Sequence, residues 1–319
     1  MTAWTESDFY FRRSIYILQA LLGAYEAKGG YLFFKGEPAA GYKPVRMLQA
    51  GVPKVEKERF DGAGSKHKHL SADYGMGQML PHAILNEDPY PVRAFICYRY
   101  DPLSSLPDPE AFKQALSKLD LLVSVDVNYS HTAWFADVIL PECTYLERTD
   151  PIITKKGPKP AIWMRREAVE PKFDSKPKWW IFKQLAERMG IGKYFPYETI
   201  EGLIDYQLQD TGFKLEDFDA KGYIELSKEQ ILWDRKTGLK FNTPSGKFEL
   251  MSSMLEDNGI PSFPPYSSPQ RPPEGQYRLV TGKIATHTQG TSLNNPLLNE
   301  VQSENALWIN SEEAKKLGI

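Results

Sequence analysis

Cysteine is nearly absent from this sequence: Cys97 and Cys143 are the only two among 319 residues. Two thiols are too few for a thiolate-held iron–sulfur cluster or a Cys-rich zinc site within the chain, and they exclude a disulfide framework. A single bridge between them stays open beside the alternative of two separate semi-buried thiols that pack as small hydrophobes. Long apolar runs are lacking as well. No stretch of about 18 uncharged apolar residues occurs, and Met1-Thr2-Ala3-Trp4-Thr5-Glu6 lacks the basic-then-apolar pattern of a secretory signal. Net charge is small: 39 Lys and Arg face 41 Asp and Glu, for a net of -2. No global field gathers nucleic acid or an anionic membrane, so no nucleic-acid partner is expected and an anionic ligand has to be held by local groups.

What is present is enough chain for about two domains of roughly 150 residues each. Phe11, Ile15, Leu18, Leu22 and Tyr25 fall at steps of four, three, four and three, one face of a helix that Gly29-Gly30 is expected to stop. From about 36 to 90 the sequence is rich in Gly, Lys, His and Pro and predicts long, partly irregular loops. Val92 to Cys97 then reads as a buried strand, Asp108-Pro109-Glu110 as the capped start of a helix, and Leu121 to Val125 as a second strand. Strand, helix, strand in this spacing predicts a right-handed βαβ unit with parallel strands. A third short strand is predicted at 136–141 and a helix from about Lys178 to Met189; residues 200–250 lack clear order. The expected fold class is α/β, an open, mostly parallel sheet with flanking helices over 1–260. The prolines at 261, 264, 265, 269, 272 and 273 predict an extended linker over 261–276. After it, Tyr277-Arg278-Leu279-Val280 reads as a strand opening a further region, 277–319. Asn310 with Glu313 three residues on signals a last helix ahead of Gly318.

Most chemical motifs fail on inspection. Pro244-Ser245-Gly246-Lys247 has Phe241 and Phe248 where a phosphate loop needs glycine and a hydroxyl residue, and Gly75-Met76-Gly77 is followed by Leu80 where a dinucleotide fingerprint needs a third glycine. His67-Lys68-His69 reads as a solvated basic loop rather than a metal site, and no Gly-x-Ser-x-Gly elbow occurs. What remains lies at strand ends, where open α/β sheets bind their ligands: the loops Tyr98 to Pro107 and Asp126 to Thr132. Asp126 has the chemistry to accept two hydrogen bonds from a guanine edge or a ribose; a turn-forming Asp is the alternative. The stretch Thr281-Gly282-Lys283 through His287 to Thr291 offers close backbone approach, hydroxyls and a cation suited to a large polyanion.

At these residues the sequence resembles the molybdopterin oxidoreductases of the dimethyl sulfoxide reductase family, from about Arg12 to Ile319. The resemblance is carried by Arg12-Arg13-Ser14-Ile15 with Gly29-Gly30, by Thr132-Ala133-Trp134-Phe135-Ala136-Asp137-Val138-Ile139-Leu140-Pro141 with Tyr145-Leu146-Glu147, by Thr243 to Glu249, and by Thr281-Gly282-Lys283, His287, Thr291 and Asn295-Pro296-Leu297. Within the family the chain is most similar to catalytic subunits of thiosulfate and polysulfide reductases, through Tyr98-Arg99-Tyr100-Asp101-Pro102 and the tract from Arg165 to Pro171. Asp101 stands where many members have Asn, and Lys283 where arginine is commoner, which keeps the charge but loses the bidentate fork.

The resemblance implies a molybdenum or tungsten ion held by two molybdopterin guanine dinucleotides lying between domains. Residues 1–260 would then be a partial molybdopterin-binding region, and 277–319 the truncated start of a β-rich, barrel-like dinucleotide-binding domain. By position, Asp126 and Thr132 would lie near a guanine end, while Thr281, Gly282, Lys283, His287 and Thr291 would contact pterin portions. No catalytic residue and no metal ligand is assigned within the chain, and a [4Fe–4S] centre is expected only upstream. The chain is thus expected to be a piece of a longer catalytic subunit, inactive alone. The resemblance further implies an iron–sulfur electron-transfer subunit, a membrane anchor subunit, a small inorganic sulfur substrate and a place on the periplasmic or extracytoplasmic face. Tetrathionate, arsenate, nitrate or formate as substrate, or a non-catalytic nucleotide- or partner-binding module, are the alternatives.

Overall fold

The computed structural model describes residues 8–48, 51–67, 74–233, 238–266, 268–288, 292–293 and 295–319. The chain divides into two compact units. The larger is Ser14–Pro264; the smaller comprises Pro265–Ile319 with the described residues up to Arg13.

In the larger unit, strands β1 (Ala94–Tyr98), β2 (Leu121–Asp126) and β3 (Val138–Pro141) form a parallel sheet in that order, with Tyr98 opposite Val125 and Asp126 opposite Pro141. The crossover from β1 to β2 carries α3 (Pro102–Ser105) and α4 (Pro109–Ser117). Asp108 caps α4, its carboxylate accepting from the Ala111 N–H at 3.1 Å, and Pro109 fills the first turn. Helices cover both faces. Leu116 of α4 packs with Cys97 and Leu122, while Ile181 of α5 (Lys178–Arg188) packs with Val123 and Val125, as strand alternation requires of consecutive residues. α2 (Leu80–Asn86) packs against α4. Before it, Gly77 approaches Tyr100 so closely that a Cβ would stand 2.6 Å from the hydroxyl; the glycine is required by packing, not by a phosphate.

A second sheet pairs β4 (Ile153–Lys155), β5 (Ala161–Trp163) and β6 (Tyr223–Glu225), all antiparallel. Its core joins Ile162 and Met164 to Ile204 and Leu208 of α6 (Ile200–Leu208), and to Phe218 and Leu226. The sequence reading lacks this sheet because three-residue strands carry too little alternation to register, and β6 is some sixty residues from its partner.

Two further expectations are corrected. Helix α1 (Asp8–Leu21) ends earlier than predicted, at Gly23 with φ +64°, well before Gly29-Gly30. Its one buried side chain is Ile17, while Phe11, Ile15, Leu18 and Leu22 are exposed; periodicity identifies an apolar face but not whether anything covers it. Tyr25 lies past the helix in an aromatic cluster, stacked on Phe33 at 5.4 Å with Phe241 and Phe248 against it. In the smaller unit, Tyr277 to Val280 form no strand, and the described residues contain no sheet there. Leu279 is 72% and Val280 80% exposed, and a strand exists only through a ladder partner. The β-rich start expected for 277–319 is therefore not seen among the described residues. The helices there, α8 (Pro296–Val301) and α9 (Ser311–Leu317), follow α7 (Ser253–Asp257) in the chain and are capped by Asn295 and Asn310. Among the described residues no helix is long and apolar enough to cross a membrane.

Candidate functional site

The parallel strands β1 to β3 end at one edge, and the residues leaving it are held by two sets of charged contacts. The first ties the outer strands together. Glu142, directly after β3 and with no exposed side-chain surface, accepts from Arg99 Nε at 2.5 Å and Nη2 at 2.8 Å and from the Tyr98 hydroxyl at 3.3 Å. Consecutive strand residues ordinarily point to opposite faces; Tyr98 and Arg99 both reach Glu142 because Arg99, at φ +47°, has left the strand conformation. Arg148, 3% exposed, stands 3.3 Å from the same carboxylate and donates to Asp150 at 2.7 Å, and Arg165 donates to the other Asp150 oxygen. The network joins three guanidinium groups to two carboxylates, and its Arg99 end stands at the sheet edge, where it also acts on Asp126.

The second set joins the loops after β1 and β2. Asp101 accepts four hydrogen bonds: from the Thr132 hydroxyl at 2.6 Å and Thr132 N–H at 2.9 Å on one oxygen, and from the His131 N–H and Nδ1, both at 3.1 Å, on the other. Burial works to raise this carboxyl, but the hydrogen bonds from Thr132 and His131 outweigh it and hold Asp101 below its usual range.

Asp126, the last residue of β2, behaves in the opposite way. It is half-buried. Burial pushes its carboxyl above the usual range, against the Val127 N–H and Arg99, with Glu142 and Asp101 adding to the rise. One oxygen accepts from the Val127 N–H at 2.7 Å; the other has no hydrogen bond among the described residues. Such a carboxylate gains from a ligand that brings N–H donors. Cys97 beneath it is pushed up to about 12, by burial first and then by Asp101 and Asp126, so it remains a thiol. Both cysteines are free and buried.

The other residues singled out in the sequence are placed as follows. Thr132 is fully buried and its hydroxyl is used on Asp101 while accepting from the Leu103 N–H at 3.4 Å, so it sets the loop rather than facing outward. Thr281, Gly282 and Lys283 lie in the smaller unit, exposed and outside regular structure. His287 is partly buried, with Nδ1 3.3 Å from the Ser292 hydroxyl and Nε2 2.9 Å from the Gln302 carbonyl. Thr291 lies outside the described residues, as do Lys68 and His69. Among the described residues no group of three or more His, Cys, Asp or Glu is arranged to hold a metal ion. Thr243 to Glu249 forms an exposed turn closed by Thr243 and Ser245 hydroxyl contacts with the Lys247 carbonyl. Sequence reasoning missed Glu142, Arg148 and Asp150; the available signal was a pair of opposite charges, Arg99 two residues past one predicted strand and Glu142 directly after another.

The molybdopterin oxidoreductase family model matches residues 11–188. The thiosulfate reductase molybdopterin-containing subunit PhsA of Salmonella typhimurium is 30% identical over 350 residues, spanning 99% of this chain and 46% of that protein. Acetylene hydratase of Syntrophotalea acetylenica is 32% identical over 225 residues, 70% of this chain and 30% of the relative. Among solved structures, acetylene hydratase from Pelobacter acetylenicus matches with a TM-score of 0.65 at 26% identity, covering 80% of this chain and 36% of that one. The chain thus spans less than half the length of these relatives.

Proposed function

The chain belongs to the molybdopterin oxidoreductase family, and from that premise we propose that it forms part of the catalytic subunit of an oxidoreductase that reduces thiosulfate or polysulfide. Membership implies a molybdenum or tungsten molybdopterin cofactor; the proposal adds its form, a pair of guanine dinucleotides. The observation that carries it is Asp126, a half-buried carboxylate at the carboxyl edge of a parallel sheet with one oxygen not hydrogen-bonded among the described residues. The residues fit a guanosine diphosphate end in chemistry: Asp126 accepts from the ring N–H and amino group, and the partly exposed Arg99 guanidinium offers a cation to the phosphates.

When bound, the metal–pterin group supplies a two-electron redox centre, and the protein supplies binding and orientation. In this reading Asp126 holds the base, Asp101 and Thr132 fix the loop that carries it, and Arg99 is kept in place by Glu142. Thr281, Gly282, Lys283, His287 and Thr291 are proposed to meet the pterin portions, Lys283 as a point charge. The preference for a sulfur substrate rests on the 30% identity with PhsA across 99% of this chain, whereas a formate dehydrogenase subunit of Methanococcus maripaludis is 28% identical over 69% of it. An iron–sulfur electron-transfer subunit, a membrane anchor and an extracytoplasmic site belong to the same proposal, supported by the relative's being named as a subunit.

The test is made on the full-length protein, purified without oxygen. Bound molybdenum or tungsten, pterin, and oxidation of a reduced viologen by thiosulfate or polysulfide but not formate are expected. Metal-free, pterin-free protein contradicts the proposal, and turnover with formate alone contradicts its substrate.

A further inference from the structure

The loop that follows Asp126 holds two large rings in water. Tyr129 is 67% and Trp134 75% exposed, with ring centroids 5.3 Å apart and planes tilted by 33°. Single exposed aromatics are ordinary. These two are held by a built loop: His131 and Thr132, which stand between them, donate all four hydrogen bonds that the Asp101 carboxylate accepts, and the Ser130 hydroxyl accepts from the Ala133 N–H at 3.2 Å. A largely buried anchor thus fixes the backbone on both sides of the pair, so the rings meet without either being buried. They lie three and eight residues from Asp126, on the loop that leaves the same strand end.

Resting on the guanine reading of Asp126, we propose that Trp134, backed by Tyr129, is the stacking platform for the guanine whose edge Asp126 accepts. A purine that offers only its edge to a carboxylate leaves both faces wet, and water competes for the same hydrogen bonds. An indole face on the loop that leaves that carboxylate's strand would cover one face of the base. It does so for any purine, so stacking supplies affinity and Asp126 supplies the choice of guanine. Aromatic–base stacking carries roughly a five- to 150-fold share of affinity.

The test uses the 319-residue chain purified without cofactor, with GDP as probe, IDP and ADP as controls, and equilibrium dialysis for affinity. GDP is expected to bind more tightly than IDP, which lacks the amino group, and to quench tryptophan fluorescence. Trp134→Leu is expected to weaken GDP binding about tenfold and to abolish the quench, Trp134→Phe to restore much of the affinity, and Tyr129→Leu to weaken it less. Asp126→Asn is expected to remove the preference for GDP over IDP while leaving the quench at saturation. An unchanged urea midpoint for Trp134→Leu excludes misfolding. If GDP binds in an Asp126-dependent way but Trp134→Leu and Tyr129→Leu bind it as tightly as the unaltered chain, the platform is wrong and the guanine site stands. If the unaltered chain binds no GDP, or binds ADP equally well, the guanine reading fails and the platform falls with it.

Discussion

The two units of this chain use their apolar side chains in opposite ways. In Ser14–Pro264, isoleucine, leucine, valine and phenylalanine side chains close the cores on both faces of the parallel sheet and beside the antiparallel one. In Pro265–Ile319 no described hydrophobic side chain is buried, and Leu279, Leu297, Val301 and Trp308 are all at least 70% exposed. The difference bears on how firmly each unit holds its candidate residues. Asp126, Asp101 and Arg99 stand at the end of a packed sheet, where buried Thr132 fixes Asp101 and buried Glu142 fixes Arg99. Residues 281–288 have helix caps and a few side-chain contacts around them but no buried hydrophobic side chain among the described residues of their unit, so their geometry rests on less.

The largest effect that would test this contrast is expected from Glu142→Ala in the larger unit. Arg148, 3% exposed, would lose one of its carboxylates and Arg99 its bidentate partner. Breaking a buried pair on one side costs about 3–5 kcal/mol, so the urea midpoint should fall steeply. Asp101→Ala comes next, at about 2–3 kcal/mol for unmade bonds to buried donors. Its distinguishing readout is faster amide exchange at His131 and Thr132, with exchange at Val123 and Val125 little changed.

The pH dependence separates Asp126 from Asp101 and Asp150. Asp101 and Asp150 are held below their usual range, against burial, by hydrogen bonds from Thr132 and His131 and from Arg148 and Arg165 respectively. Their stabilising contributions are present above the unfolded-state pKa, about 4, and are lost as pH falls through the lower folded values. Asp126 is raised by burial, so its ionisation weakens the fold as pH rises from about 4 through the folded value. Urea midpoints between pH 3 and 7 are therefore expected to show a shallower acid limb in Asp101→Asn and a gain near neutrality in Asp126→Asn. The smallest effect is expected in the smaller unit: Leu279→Ser should change stability by less than about 0.5 kcal/mol. A large loss there would mean that this unit has a core the contrast denies it.

Legibility in the sequence follows the same physics. β1, α4, β2, β3 and α5 were readable because continuous apolar runs alternate with capped helix starts, Asp108-Pro109 above all, and the rule for parallel sheets then points to Asp126. The antiparallel sheet was not readable, since Ile153–Lys155, Ala161–Trp163 and Tyr223–Glu225 are each too short to carry a period. Nor was the Arg99–Glu142 clamp, whose members are 43 positions apart and meet only once β1 and β3 flank β2. Tyr277–Val280 has the composition of a strand, but composition carries no information about a ladder partner, and none pairs with it among the described residues.

The central claim is that Asp126 receives a guanine end of the cofactor. It is tested most directly by acid release of guanine nucleotide from the full-length protein with and without Asp126→Ala, measured per polypeptide alongside amide exchange of residues 126–132. The account predicts less guanine nucleotide and faster exchange in the variant. Equal nucleotide content and equal protection in the two proteins would contradict it.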